Sequence, residues 1–241
     1  KLADKLMADG IFGLFGFYLR LRVSETPIFL SLAHKKGQIK TSFMDVVRTA
    51  SGSMFLTFCL GSLASIVVYM IKAYVNVFYS CQMNLQSAVA LSYVSYASLV
   101  LMVAMPVSGL LSDMFGRTKV IRTAAITIFI LILPIFIMMG SPHNTPRIVA
   151  LTLLGLIGGG IAGSAYNFVI SLFAPEQRFS GVGFSYNLGI ALFGGTSPII
   201  ARWLASSTDL YFAPAFYIML IAALFLIVLH FSKNVIKEKN C

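Results

Sequence analysis

Apolar residues run in long unbroken stretches, and polar ones gather between them. Six stretches lie at about 51–79, 88–111, 119–140, 147–173, 180–204 and 212–232. Each reaches the roughly 20 residues that a helix needs to cross a bilayer core. Polar or charged residues punctuate every boundary. A shorter apolar run, from Gly10 to Leu19, would rise about 15 Å as a helix, half of that core. Arg20 and Arg22 lie after this run and no small-x-small cleavage site follows it, which argues against a signal peptide. The pattern predicts an all-α membrane protein of six complete spans preceded by a stub.

Composition sharpens this by exclusion. Of 241 residues, 58% are apolar and 11% are charged, against about 45–50% and about 25% in a soluble domain. An ordinary soluble enzyme, a disordered tail and a nucleic-acid-binding domain are all disfavoured. The net charge of +10 therefore reads as basic loops on the cytoplasmic face of a membrane. If segment 20–50 is cytoplasmic, 13 of the 18 Lys and Arg residues fall inside and four outside, with Lys72 within a span. This places the C-terminus in the cytoplasm. Segment 20–50, far longer than the other connections, reads as a cytoplasmic linker between helical units. Residues 51–234 form the bundle, and 235–241 a cytoplasmic tail. Cys59, Cys81 and Cys241 suggest neither a disulfide framework nor a metal site.

Polar residues inside the spans are the candidate chemistry. Ser62, Ser65, Tyr69, Lys72 and Asn76 recur every three or four residues, so a regular helix puts them on one face. Lipid cannot satisfy such a stripe, which must meet protein or water. Lys72 reads either as a cavity cation that holds an anionic group or as a snorkelling residue. Tyr74 and Tyr79 read as interface aromatics. Gly155, Gly159 and Gly163 form a doubled small-xxx-small pattern that admits a neighbouring helix. Asn167 continues that face. Tyr186 and Asn187 lie in a span rich in glycine and closed by Pro198, which is expected to bend or break. For Asn187 a helix–helix hydrogen bond and a substrate contact both stand. Acidic residues only flank the spans, and no catalytic, cofactor or phosphate-binding pattern occurs.

One loop is more specific. Gly109, Asp113, Gly116 and Arg117, with Lys119, follow the spacing G-x-L-x-D-x-x-G-R. This resembles the cytoplasmic loop motif of the major facilitator superfamily. The resemblance implies a gating latch in which Gly109 allows close helix contact, Asp113 pairs at a helix end, Gly116 makes the turn and Arg117 anchors the loop. Met114 and Thr118 stand where that motif carries basic residues. Ser24 to Pro27 is similar to the segment ending the sixth helix of such transporters. Pro175, Arg178, Gly181, Tyr186, Asn187, Gly194, Pro198, Trp203 and Pro214 follow the pattern of the metabolite:proton symporter family, which includes proline/betaine transporters. Asn76 replaces a proline of that pattern and Lys72 an apolar residue.

The resemblance covers residues 10–234. It implies the C-terminal six-helix half of a major facilitator fold, with residues 1–19 as a truncated helix six whose first nine residues are atypical. It also implies secondary transport of small osmolytes or organic acids, coupled to protons, across a bacterial inner membrane. Substrate contacts would fall on Tyr69, Lys72, Asn76, Asn167, Tyr186 and Asn187. The expected partners are lipid, substrate, protons and a separately encoded N-terminal half, with no nucleic acid and no cofactor. A fragment without activity of its own and a homodimeric half-size carrier are the alternatives.

Overall fold

The computed structural model describes residues 43–232 and Tyr18. The chain divides into two compact units, residues 1–41 and 42–241, and the second is described below. The stub apart from Tyr18, most of the linker and the tail lie outside the described residues. Residues 43–49, read as linker, form a short helix, α1 (Phe43–Thr49).

Six long apolar helices follow: α2 (Ser51–Gln82), α3 (Ser87–Phe115), α4 (Arg117–Met139), α5 (Asn144–Ser171), α6 (Arg178–Thr208) and α7 (Ala213–Phe231). The apolar runs predicted six spans, and among the described residues six helices are long enough to cross a bilayer. Connections of one to six residues force consecutive helices to run antiparallel. At the near end lie the start of α2, the α3–α4 turn, the α5–α6 loop and the end of α7. The other three loops lie at the far end.

Local chemistry sets the helix ends. Gly116 alone joins α3 to α4, with φ +94° and ψ 134°. That region is essentially closed to residues with a Cβ. Asp209 ends α6 in the left-handed conformation, which Asp tolerates. Pro214 sits in the first turn of α7, where its missing N–H costs no hydrogen bond.

Packing centres on α2, whose most apolar stretch is 72% buried, against 22% for α3. In lipid, close backbone approach rather than water exclusion drives helix association. The α3–α5 seam shows this directly. A Cβ on Gly155 would stand 2.9 Å from the Ala97 carbonyl, and one on Gly159 2.5 Å from Ala104 Cβ. One on Gly163 would run into the Met105 carbonyl. Ser108 on α3 completes the seam by donating to the Gly160 carbonyl.

Two expectations change. Tyr74 and Tyr79 are fully buried rather than interfacial. They belong to an aromatic cluster at the far end, with Tyr74 6.1 Å from Phe136 and Tyr79 4.7 Å from Tyr93 between ring centroids. The glycine-rich span does not break. It continues through a single π turn at Ile190–Gly194, a widening that π-bulges provide without ending a helix. The Gly194 carbonyl, which Pro198 cannot engage, accepts from Ser197 Oγ at 2.8 Å. Two more π turns, Met70–Tyr74 and Phe78–Gln82, lie in α2.

Candidate functional site

The polar stripe of α2 divides at its first π turn. Below it, Ser62 and Ser65 are buried and donate to their own helix, at 2.8 Å to the Phe58 carbonyl and 3.0 Å to the Ser62 carbonyl. They meet glycines of α6: a Cβ on Gly189 would lie 2.8 Å from Ser62 N, and one on Gly194 2.9 Å from Ser65 Cβ. This half of the stripe is a helix contact. At and above the π turn, Tyr69 and Lys72 are exposed and Asn76 is half-buried. The Tyr69 ring lies over Gly194, and the Asn76 Oδ1 has no partner among the described residues.

The other candidates gather nearer the near end. Tyr186 is 6% exposed, with its ring 4.9 Å from that of exposed Tyr166 on α5. Its backbone carbonyl would lie 2.7 Å from a Cβ on Gly61, so α2 and α6 touch there. Asn167 follows Tyr166 and is half-buried. Asn187 is exposed, and its Nδ2 donates to the Gly183 carbonyl of its own helix at 2.7 Å. Neither a neighbouring helix nor a burial requirement claims it. Eight residues separate Tyr186 from Gly194, about 12 Å of helix. The six candidates thus form two tiers: Tyr186, Asn187 and Asn167 below, and Tyr69, Lys72 and Asn76 above.

The loop residues are placed simply. Gly109 faces Gly163, and a Cβ added to it would stand 3.8 Å from the Gly163 carbonyl, an ordinary contact. Asp113 and Arg117 are both exposed, and among the described residues Asp113 pairs with no cation and caps no helix.

Two further sites escape a reading by spans. Arg147, counted as a loop charge, lies in the first turns of α5 and is 8% exposed. Its Nε donates to the Ser141 carbonyl at 2.7 Å, and its guanidinium stands 5.8 Å from the Tyr79 ring centroid. Its position at the very edge of an apolar run was the available signal. The second is a far-end groove of about 440 Å³, lined by Val77, Pro198, Ile199, Arg202, Trp203 and Ser206. Among the described residues no group of His, Cys, Asp or Glu could hold a metal ion.

Six membrane-length helices among the described residues define a polytopic membrane bundle. The Major Facilitator Superfamily profile matches residues 6–195 and, in a second placement, 63–240. The chain belongs to that superfamily. It is 28% identical to the ectoine/proline transporter ProP of Corynebacterium glutamicum, over 88% of this chain and 44% of the relative. It is 27% identical to the glycine betaine/proline/ectoine/pipecolic acid transporter OusA of Dickeya dadantii, over 92% and 46%. With the proline/betaine transporter of Escherichia coli K12 the identity is 26%, over 89% and 45%. The chain spans about half the length of these relatives. No solved structure gives a significant match.

Proposed function

We propose that this chain supplies the C-terminal six-helix wall of a proton-coupled symporter for small osmolytes of the proline/betaine type. The observation that carries the reading is the two-tier polar face on α2, α5 and α6. Exposed Tyr69, Lys72 and Asn187 would be costly against lipid, and they gain partners where a second bundle encloses water. Substrate then sits between the two bundles near the midplane, as in transporters built from repeated units. The relatives' names supply the substrate class. The excess of basic residues supports a cytoplasmic near end with the C-terminus inside, and the bacterial sources of the relatives support a bacterial inner membrane. The α3–α4 turn then lies on the cytoplasmic side, where Asp113 closes the gate when the bundles rock together.

The test is uptake of radiolabelled proline, glycine betaine and a dicarboxylate by cells lacking their own carriers. The chain is expressed alone or with an N-terminal six-helix half, with and without a protonophore. Uptake is expected only with both halves present, and the protonophore should abolish it. Uptake by the chain alone would replace the two-half reading with a homodimeric carrier. No uptake with both halves present in the membrane would refute the transporter assignment.

A further inference from the structure

The far-end groove has a chemistry that the two-tier face lacks. Its apolar lining is Val77 of α2 with Pro198 and Ile199 of α6. Arg202, Trp203 and Ser206 complete it. Trp203 is 63% exposed and is the one tryptophan in the sequence. Among the described residues Arg202 pairs with no carboxylate, and none lines the groove. Ser206 donates its hydroxyl to the Trp203 carbonyl at 3.0 Å, so its oxygen remains able to accept. Exposed Lys72 lies five residues below Val77 on α2 and adds positive potential.

We propose that this groove is a vestibule subsite for compact zwitterions, in which Arg202 holds a carboxylate and the Trp203 indole face packs against the cationic nitrogen. The proposal rests on the transporter reading for its substrate class. The physics is complementary at both ends. A guanidinium meets a carboxylate through two parallel hydrogen bonds. Trp offers the best aromatic face for a cation, including a quaternary ammonium that has no N–H to donate. Methyl and methylene groups of such a solute match the Val77, Pro198 and Ile199 lining. The π turn at Ile190–Gly194 ends one turn below Pro198, so a shift there would move the groove relative to α2. A zwitterionic lipid headgroup shares this chemistry, and the experiment separates the two sources.

The single tryptophan makes the test direct. The full chain is placed in nanodiscs of phosphatidylglycerol alone, and Trp203 emission is followed during titration with proline and with glycine betaine. A saturable change is expected, weakened about tenfold or more in Arg202→Gln and largely kept in Arg202→Lys. Both positions are exposed, so these variants keep the fold. In parallel, equilibrium dialysis of labelled betaine with Trp203→Phe and Trp203→Leu should show the aliphatic variant to be the weaker binder. An unchanged emission, or one equally strong in Arg202→Gln, overturns the proposal. So does a change that appears only when choline-headgroup lipid is added, since that gives the groove to lipid. Uptake by the two-half system alongside silent emission would remove the subsite and leave the transporter. Emission changes without uptake would do the reverse.

Discussion

Replacing Gly159 with alanine puts a methyl group into the closest helix seam of the bundle. The added carbon would stand 2.5 Å from Ala104 Cβ and 2.7 Å from the Leu101 carbonyl oxygen. Ordinary van der Waals contact begins at 3.4 Å, so α3 must retreat by about 0.9 Å. The obstacle includes backbone, and no flexible side chain can swing aside. Overpacking of this kind costs about 1–3 kcal/mol. Alanine's better helix propensity returns at most about 1 kcal/mol. A net loss of up to about 2 kcal/mol follows, or up to about 8 °C in melting temperature for a bundle of this size. Gly160→Ala is the internal control, because nothing lies within 4 Å of its added methyl. It should be neutral or slightly stabilising. Gly163→Ala, which meets the Met105 carbonyl, should be at least as damaging as Gly159→Ala. The assay is thermal unfolding in detergent, read by fluorescence-detected size-exclusion chromatography. If Gly160→Ala costs as much as Gly159→Ala, the seam does not depend on close approach and the reasoning is wrong.

Other substitutions test other parts. Gly116→Ala and Gly116→Asn should both destabilise the protein by about 1–3 kcal/mol, since the cost is backbone conformation and not space; rescue by asparagine in the same melting assay would contradict this. Arg147→Gln removes the bond to the Ser141 carbonyl and the contact with the Tyr79 ring. It should cost about 1–3 kcal/mol, and Arg147→Lys should restore only part, because an ammonium cannot lie flat over the ring; equal melting temperatures for all three would refute a structural role. Lys72→Leu should shift preference between anionic and zwitterionic substrates in competition uptake with the two-half system, and an unchanged ranking would return Lys72 to snorkelling.

Much of this protein was legible along the chain, because a bilayer imposes so strong a length rule. The number of spans and their approximate ends need only runs of apolar residues and short polar breaks. Gly116 was readable as a turn, and Gly155, Gly159 and Gly163 as a seam, because both follow from the missing Cβ. What tertiary structure decided was which face each polar residue presents, and to which neighbour. The stripe on α2 is continuous at 100° per residue, yet packing against α6 buries Ser62 and Ser65 and leaves Tyr69 and Lys72 exposed. Tyr74 and Tyr79 have the composition of interface residues, but the packing of α2 against α3, α4 and α5 makes them core. Asn187 has the depth of a helix–helix contact, and the structure leaves it open and bonded to its own backbone. Arg202 looks like an ordinary boundary charge and Trp203 like one more residue of a family pattern until α6 meets Val77 and the two line a groove. Period and length are properties of one helix and can be counted from its residues. Burial and grooves belong to pairs of helices, so they appear only once the second helix is in place.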